Sequence, residues 1–290
     1  MWINKREIKE LSENIRRIID GQDLDLRDHR EGVWSLLKND IHTLANLKNE
    51  QVDMLRRERD SMAETLTDIS HQLKTPLTSM MIMADLLDNA PPDKQAEFLS
   101  NIKIGLTRME WLVSALLKMA KLDAGAVEFS KEIIPGRTLV DIALEPLQIL
   151  LELRNQSVEI SCAVDAAEFH CDKRWTTEAL TNVIKNASEY SGLGGKIRIE
   201  SGMNPICTWI SVTDSGAGIT NAQITNLFKR FEGSRSDKGY GIGLPLALAI
   251  MRGQNGDIEV DGGGGSGVGV GGGAGASGGG GATFTLKFFK

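Results

Sequence analysis

Apolar residues recur at intervals of three and four through most of the first 120 positions, a period that predicts helices. Ile8, Leu11, Ile15, Ile18 and Ile19 mark a helix over residues 3 to 20. Gly21 ends it, and Leu24 and Leu26 alternate through a short extended connector. A second helix starts near Val33 and carries Leu36, Leu37, Ile41, Leu44 and Leu47. It runs on without a breaker into a strict three-four seam of Val52, Leu55, Arg59, Met62, Leu66, Ile69 and Leu73, the stripe of a coiled coil or helical bundle. Pro76 lacks an N–H and is expected to kink this helix. The helix then resumes through Met80, Met83 and Leu87 to the turn Asn89-Ala90-Pro91-Pro92-Asp93. A third helix faces Phe98, Leu99, Ile102, Leu106, Met109, Leu112, Val113, Leu116 and Leu117 inward. Two long amphipathic helices cannot bury both stripes alone, so a second copy completing a four-helix bundle is the economical solution.

After Leu122-Asp123-Ala124-Gly125 the texture changes, placing a domain boundary near residue 130. Strand-like runs appear at 157–162, 196–200, 207–213, 257–260 and 283–289, with helices over about 136–153, 174–190 and 244–253 between them. Helices interleaved with mostly antiparallel-looking strands predict an α/β sandwich. Residues 262–281 hold 14 glycines with only Ser, Val and Ala for company. No Lys and no fixed glycine spacing accompany them, so the run reads as a flexible hairpin loop rather than a phosphate cradle.

Composition narrows the picture. A net charge of -6 with no compensating basic stripe argues against a nucleic-acid partner. Cys162, Cys171 and Cys207 lack paired metal-ligand spacing and read as buried reduced thiols of a cytosolic protein. No stretch reaches the roughly 18 apolar residues of a membrane span. Met1-Trp2-Ile3-Asn4-Lys5-Arg6 has the basic, aromatic texture of the flank after a membrane helix, which suits the cytosolic remainder of an anchored protein; it suits a true N-terminus equally well.

Candidate chemistry begins at His71, in Asp68-Ile69-Ser70-His71-Gln72-Leu73-Lys74-Thr75-Pro76-Leu77. It falls between Ile69 and Leu73 and points away from the seam, where an exposed neutral imidazole can attack an electrophilic phosphorus. Farther on, Asn182 and Asn186 project from one helical face at i and i+4. Amide oxygens there suit Mg²⁺, which keeps waters and phosphate oxygens beside few protein ligands. Asp214-Ser215-Gly216-Ala217-Gly218-Ile219 follows a strand: its carboxylate can accept from an amino group such as that of adenine, and its glycines let backbone approach a ring. Phe228 and Phe231 flank Lys229 and Arg230 ahead of a polar stretch, as in a lid. Gly239-Tyr240-Gly241-Ile242-Gly243-Leu244 leads into a helix near Pro245, whose free N–H groups suit a phosphate. Each element alone is weak, but their order and spacing are specific.

Together these residues resemble the H, N, G1, F and G2 boxes of the sensor histidine kinases of two-component signalling, over roughly residues 60–290. The helix, Gly-led connector and second helix of residues 1–54, with Glu31-Gly32, resemble a HAMP signal-relay module. The resemblance implies a multidomain chain: an all-α helical hairpin over 55–128 forming a dimeric four-helix bundle, then an α/β sandwich of the GHKL (Bergerat) type over 129–290 that binds ATP. It implies phosphorylation of His71 by ATP and transfer to an aspartate on a response-regulator receiver domain. Thr75 matches the position implicated in dephosphorylating that regulator. By position, Asn186 would ligate Mg²⁺ with Asn182 assisting, Asp214 would recognise adenine, and Gly216 and Gly218 would line the base pocket. Gly239, Gly241 and Gly243 would anchor the lid and the phosphates. Tyr190, Ile219, Phe228, Phe231 and Leu244 would complete the nucleotide site. Hydrolysing GHKL relatives carry a Glu where Asn182 stands, and an amide cannot activate water.

Three positions depart from the pattern. Gln72 replaces the acidic residue after the histidine and takes no proton at neutral pH, so the site relies on positioning alone or on another base. Glu189 stands where the family carries a base, and Gly233 where a basic residue follows the lid aromatics, with Arg230 or Arg235 as substitutes. These departures keep two further readings open: a phosphatase-biased enzyme, and a non-catalytic ATP-binding signalling dimer.

Overall fold

The computed structural model describes residues 5–19, 33–88, 90–231, 241–263 and 280–290. The expected connector at Leu24 and Leu26, the Glu31-Gly32 pair, Asn89, Gly233, Arg235, Gly239, Tyr240 and residues 264–279 of the glycine-rich run lie outside the described residues. The chain divides into two compact units, Met1–His71 and Gln72–Lys290.

In the first unit, α1 (Lys5–Ile19) ends in Arg16 and Arg17, cations at the negative end of the helix dipole. Leu11 is buried there against Ile15, Ile41 and Ala45. The last two lie four residues apart on one face of α2 (Val33–Leu87). The bundle seam farther along α2 is uncovered: Met54, Leu55, Met62 and Leu66 are all exposed. The helix is not interrupted at Pro76, although the ring supplies no N–H to the Gln72 carbonyl.

The second unit begins with the end of α2, followed by α3 (Pro92–Asp123), which opens on a proline preset for the first helical turn. The two helices come close at Gly105, where an added Cβ would sit 2.6 Å from Met80 Sδ. The expected inward stripe of α3 splits into two faces. Leu112, Ala115 and Met119 are buried, on the helix that packs against α9 (Gly243–Gly253). Leu99, Leu106, Val113 and Leu117, at spacings of seven, seven and four, are exposed, a seam left for another helix.

The sandwich follows. β1 (Lys131–Pro135) and β3 (Glu168–Asp172) pair antiparallel in a two-stranded sheet that periodicity did not anticipate. β1 escaped notice because it is five residues long, opens on two charges and closes on proline. The single helix expected over 136–153 is broken into α4 (Gly136–Leu144), a 3-10 turn at Glu145–Leu147 and α5 (Gln148–Leu153). Pro146 has no N–H to continue an α-helical ladder. The main sheet contains β2 (Ser157–Ile160), β4 (Lys196–Met203), β5 (Cys207–Asp214), β6 (Gly256–Asp261) and β7 (Thr283–Phe289), in the order β2-β4-β5-β7-β6. Only the β2–β4 pairing is parallel. Short α6 (Cys162–Ala166) and α8 (Asn221–Ile224) sit in connections, the latter opened by a Thr220–Gln223 capping box.

One face of the sheet is apolar by strict alternation: Ile197 and Ile199 are buried while Lys196, Arg198 and Glu200 are exposed. Phe284 and Leu286 of β7 extend that buried face. Opposite lie Leu180, Val183 and Ile184 of α7 (Lys173–Ser191), Leu246 and Ile250 of α9, and Leu139 of α4, all inaccessible to solvent. Helices on one sheet face give the two-layer sandwich the pattern predicted. Of the three free cysteines, Cys171 and Cys207 are buried as expected, but Cys162 is exposed at the start of α6. Burial pushes the Cys171 thiol up, which makes it a packing residue. Among the described residues no helix is long and apolar enough to cross a membrane.

Phe284 fills the centre of this core. Phe284→Ala should lower the unfolding free energy of the sandwich by about 3–5 kcal/mol, read by chemical denaturation followed by circular dichroism. A loss below about 1 kcal/mol would show that the core lies elsewhere.

Candidate functional site

The candidate residues depend first on α7, which is held at both ends. At its start Asp172 caps the helix by accepting from Trp175 N at 3.0 Å, and its other oxygen accepts from Ser130 N at 2.9 Å. Gln254, buried at the end of α9, accepts from Asp172 N through Oε1 at 2.6 Å, and its carbonyl accepts from Lys131 Nζ at 2.6 Å. At the far end, Arg154 and Gln156 both donate to the Ser188 carbonyl, at 2.9 and 2.8 Å. These bonds satisfy terminal backbone groups that would otherwise fray. Asn182 and Asn186 therefore sit on a rod with little freedom.

The two amides differ. Asn182 Nδ2 donates to the Glu178 carbonyl at 2.9 Å. Its Oδ1 faces the start of α9, where a Cβ on Gly243 would lie 3.0 Å away. Asn186 Nδ2 is buried and has no hydrogen-bond partner among the described residues. A buried amide left unpaired carries a desolvation penalty that a bound ligand removes. Gly243 and Leu244 open α9, and their N–H groups lack intrahelical acceptors. Among the described residues no cluster of three or more His, Cys, Asp or Glu side chains is placed to hold a metal. A cation here would be held by amides and by the ligand's own oxygens.

These elements line one cleft of about 1840 Å³ in the second unit. Asn182, Asn186, Tyr190, Gly218 and Ile219 border it, as do Gly241, Gly243 and Leu244. Gln72 and Thr75 of α2 border the same cleft. Its charged lining is Lys103, Arg108, Arg154 and Lys185 against Glu189 alone, a balance that favours a polyanion. His71 is exposed on α2 and is the last residue of the first unit.

Asp214 and Gly216 do not border the cleft; they form the layer behind it. Asp214 ends β5 and is 5% exposed, with Oδ1 accepting from Gly216 N at 2.7 Å. Burial pushes its carboxyl above the usual range, and backbone hydrogen bonds from Gly216 and at Ala282 offset part of that. Gly216 is required by space: a Cβ would sit 2.5 Å from the Tyr190 carbonyl. Gly218 is required by conformation, at φ +77. The ends of the glycine-rich run, expected to be part of a loose loop, are part of this scaffold. Ile219 N donates to Gly262 O at 2.8 Å, Asp214 N donates to Ala282 O at 3.0 Å, and a Cβ on Gly281 would meet the Asp214 carbonyl. Nothing in glycine periodicity distinguished those two ends from the middle; their position against the strand termini was the available signal.

The lid aromatics also stand away from the cleft. Phe231 is buried at φ +66, a conformation rare for a bulky side chain, and its N–H donates to Gly241 O at 3.0 Å. That bond ties the two ends of the lid segment. Phe228 is half-buried nearby in sequence. Arg230, considered as a phosphate contact, forms an ion pair with Asp123 at 2.7 Å. Sequence reading missed Lys185, whose Nζ lies 5.1 Å from the centroid of the Trp111 ring on α3. Its place three residues after Asn182 was the signal that marked it.

Comparison with known proteins accords with this geometry. Residues 61–125 match the His Kinase A (phospho-acceptor) domain, and residues 171–290 match the family of histidine kinase-, DNA gyrase B- and HSP90-like ATPases. Signal transduction histidine-protein kinase BaeS of Escherichia coli (strain K12) is 24% identical over 226 residues, covering 77% of this chain and 48% of BaeS. Sensor histidine kinase MtrB of Mycobacterium leprae (strain TN) is 28% identical over 204 residues, covering 67% of this chain and 36% of MtrB. The chain thus spans about half, or less, of the length of these relatives. Histidine kinase ThkA, solved in complex with response regulator protein TrrA, shares the fold with a TM-score of 0.61 at 19% identity, over 84% of this chain and 67% of that one.

The Asp214 environment makes a prediction about stability. A folded-state pKa above the unfolded one means that the neutral carboxyl contributes stability present below the ordinary value of 3.8 and lost as pH rises through the folded-state value. Asp214→Asn stays neutral throughout. The thermal midpoint of the variant relative to wild type should therefore increase as pH is raised from about 4 towards 7. A difference that stays flat, or falls, would refute the burial assigned to this carboxyl.

Proposed function

We propose that this chain, which belongs to the sensor histidine kinases, transfers the γ-phosphoryl group of ATP to His71 and passes it to an aspartate of a response regulator. One observation carries the reading. Gln72 and Thr75, which follow His71 on α2, line the same cleft as Asn182, Asn186 and Gly243.

In the phosphorylation step a lone pair on a His71 ring nitrogen attacks the γ-phosphorus in line. An N–P bond forms, the bond from phosphorus to the β,γ-bridging oxygen breaks, and ADP leaves with that electron pair. The ring proton departs to water or to a base other than Gln72, whose amide orients but does not deprotonate. Catalysis is therefore mainly positioning and charge neutralisation. Asp214 accepts from the adenine amino group, while Gly216 and Gly218 keep the backbone low beside the base. The first-turn N–H groups of α9, at Gly243 and Leu244, meet the phosphates. Asn186, with Asn182 assisting, would hold Mg²⁺ through amide oxygens, while the unpaired Asn186 Nδ2 is a donor suited to a phosphate oxygen. Mg²⁺, when bound, neutralises charge on the phosphate oxygens.

The uncovered seams of α2 and α3 support a homodimer closing a four-helix bundle. We assign residues 1–54 to a HAMP-like relay, 55–128 to the dimerising phosphotransfer hairpin and 129–290 to the ATP-binding domain, in the cytoplasm beneath a membrane-anchored sensor. Thr75 serves the opposing reaction, in which water attacks the regulator's aspartyl phosphate and inorganic phosphate leaves. Glu189, a carboxylate on the cleft wall, favours a second reading in which that phosphatase direction dominates. In that case Thr75→Ala alters regulator phosphorylation more than Asn186→Ala does.

Incubation with γ-labelled ATP and Mg²⁺ should give an acid-labile, base-stable phosphoprotein. The label should vanish in His71→Ala. Its persistence in that variant would remove His71 from the acceptor role.

A further inference from the structure

The nucleotide site lacks a basic group at Glu189, but α7 supplies one a turn earlier. On a helix, positions 182, 185, 186 and 189 share a face. Lys185 is half-buried there, beside the unpaired amide of Asn186, and lines the same cleft. Three nearby cations are committed elsewhere: Arg154 donates to the Ser188 carbonyl, Lys118 pairs with Glu178 at 2.8 Å and Arg230 pairs with Asp123. Lys103 and Arg108 line the cleft from α3, whereas Lys185 is carried by the same helix as Asn182 and Asn186. Among the described residues Lys185 forms no such ion pair. Its ammonium sits over the Trp111 ring, with Nζ 5.1 Å from the centroid. Trp111 itself borders the cleft from α3. An aromatic face attracts a cation without neutralising it, so the full charge remains available to an anion.

We infer that Lys185 is a phosphate-binding residue of the nucleotide site, and that Trp111 holds its ammonium on α3 until a nucleotide's phosphates draw it away. This rests on the reading of the cleft as an ATP site. Its physical basis is a difference in strength. Attraction between an ammonium and a ring is weaker than a charge-assisted hydrogen bond to phosphate, so an arriving triphosphate wins the lysine. The exchange also gives nucleotide binding a handle on α3, because the lysine leaves a ring carried by the phosphoacceptor hairpin. Lys185 thereby supplies the positive charge that Glu189 cannot.

The test is calorimetric titration of the full chain with adenosine, ADP and ATP in the presence of Mg²⁺, comparing wild type with Lys185→Gln, Lys185→Arg and Trp111→Leu. Adenosine carries the base but no phosphate and serves as the internal control. Lys185→Gln should weaken ATP by about tenfold or more while leaving adenosine unchanged, and Lys185→Arg should recover much of the loss. Trp111→Leu should bind ATP at least as tightly as wild type, since the competing ring is gone. Equal weakening of adenosine and ATP in Lys185→Gln, or no weakening of either, overturns the inference. So does a Trp111→Leu variant that binds ATP as poorly as Lys185→Gln. A wild-type chain that binds neither adenosine nor ATP overturns the underlying reading of the cleft, and this inference with it.

Discussion

A carboxylate buried at the end of a strand sets the constraint on which the site depends. Asp214 is carried out of the sheet by β5, whose register against β4 and β7 places it opposite Ile197 and next to the Thr213–Thr283 pair. Withdrawn from water, it strongly needs hydrogen-bond donors. Gly216 N–H supplies one from the protein. Two neighbours come close only because they lack side chains: Gly216 lies under the Tyr190 carbonyl, and Gly281 lies against the backbone of Asp214 itself. A donor from outside, such as the amino group of adenine, is what this environment rewards.

A second constraint is the anchoring of α7. Buried Asp172 and Gln254, with Lys131 donating to the Gln254 carbonyl, fix the start of α7, and the bonds to the Ser188 carbonyl fix its end. The helix between them presents Asn182, Lys185 and Asn186 as a rigid row. α3 packs against α9, on the helix face of Leu112, Ala115 and Met119, and meets α7 through the Lys118–Glu178 ion pair and the Lys185–Trp111 contact. Burial of that apolar row supplies the hydrophobic share of the contact. The half-exposed ion pairs add selectivity of position more than stability, because water screens them. α3 thus touches both helices that border the cleft, α7 and α9.

Much of this was legible in the residues. The three-four seams of α2 and α3 announced the hairpin, and strict alternation at Ile197 and Ile199 announced the sheet. The boxes around Asn186 and Gly243 pointed to elements that the structure brings to one cleft, whereas Asp214 lies outside its lining and His71 belongs to the first unit. What escaped has physical reasons. The β1–β3 ribbon is short and its first strand is charged and Pro-ended, so it has no period to read. The break at Glu145-Pro146 was hidden inside a continuous apolar pattern. The α3 stripe looked single, yet the structure divides it between an internal face and an open heptad seam. Lys185 and the two ends of the glycine run gain meaning only from what they meet across space.

A base-specific buried acceptor and phosphoryl transfer onto one histidine both enter a single rate. The measurement is the initial rate of acid-labile labelling of the intact chain from γ-labelled ATP against γ-labelled GTP, at equal low concentrations with Mg²⁺. Guanine presents an oxygen where adenine presents its amino group, and two acceptors facing each other in a buried site are strongly disfavoured. ATP should be preferred by at least about a hundredfold, with the label on His71. Equal rates from the two nucleotides, or label that survives acid, would contradict it.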